Sequence, residues 1–327
     1  MSFAFRAVFV SLAILAPSFA AVDGIVMNGT TGQPQSNAIV SLVQPGQGGM
    51  QTLASVKSDA QGKFVFDKQV PPGPVLLQTL YEGVLYNQPV MPGGAGSGIR
   101  VQVYNATDKP GTAKVAQHFI VLQPSASEIT VSEGILYQGD PKLAYSDPVN
   151  GSFRFYLPPE ANGKVQVTIN ATGGMPIQRP AEKTKEANVY KIDYPIKPGE
   201  TRFDLNYTVP AANPMRFSTK ILHPEGQSDL VLPQGVTAKS DDIELAGQEP
   251  TTQASVYKIK NANFTVQLEG TGTLQEASAP SGEDNGAPNI EEVKPRIYDR
   301  LYWILGMAFA VLALGTIVLY RSNNRIA

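Results

Sequence analysis

Residue types that could perform chemistry are few and scattered in this chain. Its two histidines, His118 and His223, lie far apart in the sequence, and neither has a second ligand at metal-binding spacing. The chain has no cysteine, which excludes thiol chemistry and cysteine metal ligands. It also lacks a His-Glu-x-x-His motif, a Gly-x-Ser-x-Gly elbow, a phosphate-binding P-loop and a dinucleotide fingerprint. We therefore predict no catalytic residues, no cofactor and no metal, and a protein that is not an enzyme.

Two further features imitate ligand-binding motifs. The glycine-rich run at residues 92–98 lacks both the Lys-Ser/Thr ending and the following helix of a phosphate loop, so a flexible loop is the better interpretation. The stretches 59–62 and 147–151 begin with Asp and end with Gly, but each offers one carboxylate where calcium needs about six oxygens. Turn formation by Asp and Gly explains both stretches.

Five tyrosines are the candidate ligand or partner contacts. Tyr81, Tyr86 and Tyr104 flank the glycine-rich run, and Tyr137 and Tyr145 lie near the corresponding edge of a second module. Tyrosine rings at loop ends can stack on sugars or anchor a protein partner. Ordinary packing at the rim of a β-domain is the alternative.

Six Asn-x-Ser/Thr triplets occur, beginning at Asn28, Asn105, Asn150, Asn170, Asn206 and Asn263. In a eukaryote these would be glycan acceptors. Asn and Thr also suit turns and strand edges, and a bacterial host would leave the triplets unmodified. We expect the second case, because the layout of the whole chain is typical of a bacterial envelope protein.

A repeated pattern indicates the elements that must position such residues. Residues 58–66 and 146–155 both read Ser-Asp, a short turn, Gly, one polar residue and Phe-x-Phe, and each is followed by Pro-Pro. The pattern predicts a hairpin whose alternating phenylalanines point into a core. Two copies with a long period favour tandem β-sandwiches over a solenoid.

The first copy resembles the carboxypeptidase regulatory-like domain, a transthyretin-like β-sandwich that is also grouped with carbohydrate-binding-like folds. The matching stretches are Gly24-Ile25-Val26, Gly32-Gln33-Pro34, the strand at 37–42, the repeat at 58–66 and Val70-Pro71-Pro72-Gly73. The family usually has Thr in place of Ser58 and often an aromatic residue in place of Val75. The resemblance covers about residues 21–100, with a looser echo over 128–175, and it implies a fold more than a function.

Beyond the second copy the pattern still predicts strands. The run 201–209 alternates Phe203, Leu205, Tyr207 and Val209 with polar residues, which is typical of a half-buried antiparallel strand. Together with the second module, this part is similar to the ectodomains of bacterial envelope proteins that carry a regulatory-like module and one C-terminal span.

The two ends predict a membrane-anchored topology. Residues 1–20 carry one early charge, Arg6, an apolar stretch and Ser18-Phe19-Ala20, which predicts a signal peptide cleaved between Ala20 and Ala21. An uncleaved anchor is the alternative. Residues 301–320 lack charge, and a helix of that length spans about 30 Å. Residues 321–327 would then form a cytoplasmic tail.

The predicted fold class is all-β, with tandem β-sandwich modules and one C-terminal transmembrane helix. The predicted domains are the signal peptide at 1–20, the regulatory-like sandwich at 21–125, a second sandwich module at 126–185, a third β-domain at 186–270, a disordered stalk at 271–300, the transmembrane helix at 301–320 and the tail at 321–327. The third domain could be merged with the second.

The net charge and the predicted topology together limit the possible functions. The formal net charge is −2 and no basic stripe exists, which excludes nucleic acid as a partner. We expect a single-pass protein of the cell membrane, with its bulk extracytoplasmic, in the periplasm or on the cell surface. It would bind or scaffold a polysaccharide or another envelope protein. The alternative is a structural subunit of a membrane complex that is assembled through the transmembrane helix.

Overall fold

The computed structural model describes residues 22–46, 49–67, 73–90 and 96–274, which form an all-β structure with several sheets. The helical element within these residues is one short 3-10 helix, Pro159–Ala161. No helix in the described part of the chain is long and apolar enough to cross a membrane. The predicted signal peptide with its cleavage site at Ala20 and Ala21, the predicted span and tail, and the predicted stalk from residue 275 onward lie outside the described residues.

The N-terminal part contains two sheets. Its strands are β1 (Val22–Asn28), β2 (Ile39–Gly46), β3 (Gly49–Lys57), β4 (Lys63–Phe66), β5 (Val75–Tyr81), β6 (Val84–Val90), β7 (Ile99–Val103) and β8 (Ala106–Thr107). One sheet has the order β4-β1-β7, with β1 antiparallel to β4 and parallel to β7. The other has the antiparallel order β3-β2-β5-β6. Residues of both sheets share one hydrophobic core, which we call the first core.

The Phe-x-Phe pattern acts as predicted in the first core. Phe64 and Phe66 are buried, whereas Val65 between them is 53% exposed. The Asp-Gly turn is also confirmed, because the Asp59 carboxylate accepts hydrogen bonds from the backbone N–H groups of Gln61 and Lys63. Gly62 at the end of this turn has a φ of 74°, which favours glycine.

The predicted hairpin is wrong. The turn at residue 59 joins β3 to β4, but these strands belong to different sheets, and β4 pairs with β1. The turn therefore carries the chain from one sheet to the other. Two phenylalanines on one strand face suit this crossing, because that face points into the core that the two sheets share.

The C-terminal part is built around one long sheet. Its strands are β9 (Lys114–Pro124), β10 (Glu128–Gly139), β11 (Ala144–Tyr145), β12 (Phe153–Tyr156), β13 (Gln166–Ala171), β14 (Ile177–Arg179), β15 (Glu182–Lys183), β16 (Val189–Ile192), β17 (Gly199–Pro210), β18 (Arg216–Lys220), β19 (Gln227–Leu232), β20 (Thr237–Lys239), β21 (Ile243–Gln248), β22 (Ser255–Ile259) and β23 (Asn263–Glu269). Eight strands form the sheet β14-β13-β17-β10-β9-β19-β22-β21. Two three-stranded sheets, β12-β16-β15 and β18-β23-β20, accompany it.

One hydrophobic core, the second core, extends from Ala113 to Leu268. It contains residues of both predicted segments, 126–185 and 186–270. The sequence left open whether these two segments form one domain. Residues of β9 also belong to this core. The alternation on β17 is confirmed, since Phe203, Leu205, Tyr207 and Val209 are buried. In the second repeat Phe153 and Phe155 are buried as predicted, but β12 pairs with β16 rather than with the strand that precedes it.

Candidate binding cleft at the joint between the two cores

Residues 142–147, which we call the strap, connect the two cores. Ala144 on the strap is fully buried and belongs to the first core, whereas its neighbour Tyr145 packs against the second core. On one side β11 lies parallel to β8, where the Ala144 N–H donates to the Asn105 carbonyl over 3.0 Å. On the other side Tyr145 and Ile196 exchange backbone hydrogen bonds of 2.8 Å. The strap therefore contributes backbone pairing and packing to both parts.

Lys197 adds a second connection across the joint. Its Nζ donates a hydrogen bond to the Leu85 carbonyl over 2.8 Å and lies 5.3 Å from the centre of the Tyr86 ring. Burial lowers the pKa of Lys197, because a low-dielectric environment disfavours the ammonium form. The Leu85 carbonyl and the face of the Tyr86 ring both stabilise the charged form of Lys197, so a positive charge of the C-terminal part contacts the N-terminal part.

A cleft of about 500 Å³ opens beside the strap. Residues of both parts line it: Glu82, Gly83, Ala106, Thr107, Asp108, Ser146, Pro148, Asp193 and Pro195. Three of them carry carboxylates and two carry hydroxyls, and no lining residue is basic. Such a surface accepts hydrogen bonds from sugar hydroxyls or amino groups and attracts a positive charge.

Hydrogen bonds between segments that are distant in sequence hold the cleft wall in place. Glu82 turns back to accept the Ala106 N–H over 2.7 Å, which orients that carboxylate beside the start of β8. The Ser146 N–H donates to the Thr107 carbonyl over 2.9 Å and so links the two hydroxyl-bearing residues of the cleft. Asp108 and Asp193 are exposed and leave their carboxylates available to a ligand.

The structure brings three of the five predicted contact tyrosines together. The Tyr86 and Tyr104 rings lie 6.3 Å apart, and the Tyr86 hydroxyl donates to the Tyr104 carbonyl over 3.1 Å. Tyr81 donates to the Asn105 side-chain oxygen over 3.1 Å, and the Asn105 backbone carbonyl accepts the N–H of the strap residue Ala144. Tyr86 is buried, whereas Tyr81 and Tyr104 are half-buried. A contact role for these residues stays a prediction.

Tyr137 and Tyr145 lie apart from that cluster. Tyr137 is 3% exposed, and Phe153, Phe203 and His223 surround its ring in the second core. Tyr145 is half-buried on the strap, next to the cleft residue Ser146. Burial raises the pKa of Tyr145, and the nearby carboxylates of Asp147 and Asp108 raise it further. Tyr81 and Tyr145 are both half-buried and are the sequence neighbours of the cleft residues Glu82 and Ser146.

The Asp147 turn resembles the Asp59 turn in its hydrogen bonds. The Asp147 carboxylate accepts the N–H groups of Val149 and Asn150 and the side-chain amide of Asn150. Although burial acts in the opposite direction, the Asn150 and Val149 hydrogen bonds lower the pKa of Asp147. Both aspartates therefore serve turns, as predicted. Within the described residues, no group of three His, Cys, Asp or Glu side chains is placed to hold a metal ion.

Only part of the glycine-rich run is described. Residues 91–95 lie outside the described residues, while Gly96 and Gly98 hydrogen-bond to Asp23 at the start of β1. Its predicted flexibility is therefore untested.

A buried polar network escaped the sequence analysis. His118, Glu133 and Tyr207 lie on neighbouring strands β9, β10 and β17, and all three are buried. His118 Nε2 lies 3.0 Å from one Glu133 oxygen, and the Tyr207 hydroxyl donates to the other. A signal existed in the sequence, since Glu133 interrupts the inward alternation of Ile129, Val131, Ile135 and Tyr137 on β10.

Neither a protein-family model nor a curated protein matches the chain.

Proposed function

We propose that the protein is a membrane-anchored, extracytoplasmic binding or scaffolding protein of a bacterial envelope. In this proposal the first core is a β-sandwich of the carboxypeptidase regulatory-like type, and residues 301–320 anchor the chain in the cell membrane. The uncharged C-terminal segment and the signal-like N-terminus support the anchoring. Two sheets around the first core support the sandwich.

The observation that carries the binding role is the cleft beside the strap. It combines side chains from two separately packed parts, and ligand sites occur preferentially at such boundaries. Its carboxylates and hydroxyls, with Tyr81 and Tyr145 nearby, favour a ligand that offers many hydrogen-bond donors. An envelope polysaccharide has this chemistry, and so does the basic segment of an envelope protein.

Retention on immobilised ligands tests the proposal. Full-length protein is passed over immobilised peptidoglycan and over the polysaccharide fraction of a bacterial envelope. We expect retention by a polysaccharide and its loss when Asp108 and Asp193 are changed to Asn. The matched control is Asp67→Asn, which removes an exposed carboxylate far from the cleft residues in sequence. Retention that is equal in all variants would contradict a role for the cleft.

One observation favours the alternative of a structural subunit. Ile39, Leu80 and Leu85 lie directly opposite one another on β2, β5 and β6, and each is about 40% exposed (38%, 41% and 40%). Adjacent exposed apolar side chains often mark contact surfaces between proteins. Absence of polysaccharide retention, together with a membrane complex that co-purifies and is lost when residues 301–320 are replaced, would favour this alternative.

A further inference from the structure

Asparagine followed by glycine is a chemically reactive pair, because glycine has no side chain to hinder attack by its backbone nitrogen on the asparagine side chain. The chain contains four such pairs, which begin at Asn28, Asn150, Asn162 and Asn285. Asn285 lies outside the described residues. The other three pairs share the same reactive sequence, so the fold decides which of them reacts.

The reaction is deamidation, and water is its only co-reactant. The glycine nitrogen attacks the asparagine Cγ, the Cγ–Nδ2 bond breaks, and ammonia leaves with the proton that the glycine nitrogen loses. Water then breaks one of the two C–N bonds of the resulting cyclic imide, which gives either aspartate or isoaspartate. A glycine N–H that is already hydrogen-bonded must first be released by local opening, so such a site reacts more slowly.

The pair at Asn28 is protected by burial and by hydrogen bonds. Asn28 is 2% exposed, and its side-chain amide donates to Gln35 and Asn105. The Gly29 N–H donates to the Val103 carbonyl over 2.7 Å. Both the attacking nitrogen and the leaving amide are therefore engaged inside the first core.

The pair at Asn150 is exposed at the asparagine but held by Asp147. The Asn150 side-chain amide donates to the Asp147 carboxylate over 3.0 Å. Gly151 is buried, and its N–H donates to the Asp147 carbonyl over 2.8 Å. The attacking nitrogen is again engaged, although the side chain lies at the surface.

The pair at Asn162 lacks this protection. Asn162 and Gly163 are both exposed, with φ values of 54° and 72°, and the Lys164 N–H donates to the Ala161 carbonyl over 2.9 Å to close the turn. Within the described residues, the Gly163 N–H has no hydrogen-bond partner. The Asn162 side-chain amide makes one exposed hydrogen bond, to the Glu160 carbonyl over 3.1 Å.

We propose that Asn162 is a site of spontaneous deamidation in the folded protein. This inference concerns a modification and does not rest on the proposed function. Isoaspartate would add one carbon to the main chain inside the turn, between the N–H groups that bond to the Pro159 and Ala161 carbonyls. Ala161 is 3% exposed and belongs to the second core, so the modified turn would hold this core residue less firmly.

The test follows the three pairs within one sample. Full-length protein in detergent is incubated in mildly alkaline buffer and digested, and mass spectrometry measures in each peptide the exchange of NH2 for OH. Digestion in isotopically labelled water marks any deamidation that occurs after the incubation. We expect Asn162 to react about tenfold or more faster than Asn28 and Asn150, since each of these must first lose its hydrogen bonds.

Unfolding is the matched control, because it leaves the sequence around each pair unchanged. In guanidinium chloride the three pairs should react at comparable rates, which would show that the fold causes the difference. In the folded protein, Asn162→Gln should abolish isoaspartate in the peptide that contains this position and leave the other peptides unchanged. A rate at Asn162 in the folded protein that is no higher than the rates at Asn28 and Asn150 would overturn the inference.

Discussion

At the scale of single residues, Asn28 illustrates how buried polar groups are satisfied in the first core. It is 2% exposed, and its side-chain amide donates to Gln35 over 2.8 Å and to Asn105 over 2.7 Å. Its side-chain oxygen accepts the Thr30 N–H. Both amide hydrogens and the amide oxygen of Asn28 are therefore used inside the fold.

Changing Asn28 to Ala should lower the free energy of unfolding by about 1–3 kcal/mol, because Gln35 and Asn105 would lose a buried partner. Denaturant unfolding measures the change. Asn206→Ala is the control, since Asn206 also begins an Asn-x-Thr triplet but is exposed. A loss of stability no larger than that of the control would show that the Asn28 hydrogen bonds contribute little.

His223 should make stability depend on pH. Its Nε2 lies 2.8 Å from the Arg154 carbonyl and 3.1 Å from the Tyr137 hydroxyl, so Nε2 carries the proton of a neutral ring. Burial lowers the pKa of His223 below its ordinary value of 6.5. The unfolded chain therefore binds the proton first as the pH falls, and stability is lost progressively below about pH 6.5.

The measurement is the denaturant midpoint at pH 7 and at pH 5. The denaturant midpoint of the wild-type protein should be lower at pH 5 than at pH 7. His223→Gln should remove the part of this decrease that His223 causes. A wild-type and a variant protein with the same pH dependence would exclude His223 as the source.

At the scale of elements, local patterns were readable from the sequence and strand partners were not. Alternation identified the inward faces of β4 and β17, because a side-chain period of two is a local property of a strand. The pairing of β4 with β1 depends on residues that lie far away in sequence, so the Asp-Gly turn alone predicts a hairpin that does not form. Tyr137 is a candidate contact residue near the edge of the second module by sequence, and only the packing of Phe153 and Phe203 around it reveals a core position.

The strap was also invisible in the sequence. Its residues include β11, which has only two residues, and Ala144 carries no strong propensity of its own. The candidate cleft depends on this element, so the candidate site could not be assembled from sequence patterns. Sequence patterns single out Tyr145 as a candidate contact and Ser146 and Asp147 as the start of the second repeat, but they do not show that this segment joins two cores.

A charge at Ala144 should destabilise the first core. Ala144→Glu would place an unpaired carboxylate in an apolar site and cost about 3 kcal/mol or more. Lys142→Glu, an exposed position on the same strap, should change stability by less than about 1 kcal/mol. Hydrogen exchange at β8 would reveal the loosening directly, and unchanged protection there in Ala144→Glu would contradict the role assigned to the strap.

At the scale of the whole molecule, the proposed topology can be mapped because the chain has no cysteine. A single cysteine placed at Val149, which is 78% exposed, should react with a membrane-impermeant maleimide added to intact spheroplasts. A single cysteine at Ser322 should react only after the membrane is permeabilised. Labelling of both positions without permeabilisation, or of neither, would contradict a single span with the bulk of the chain outside.

The central claim is that the cleft beside the strap binds an envelope ligand. Its most direct test is the affinity of the full-length protein for the retained polysaccharide, measured by calorimetric titration with and without the Asp108→Asn and Asp193→Asn changes. We predict that the double variant binds about tenfold or more weakly, because each carboxylate loses a charge-assisted hydrogen bond with the ligand, while its melting temperature is unchanged. Equal affinity of the wild-type protein and the double variant would contradict the account.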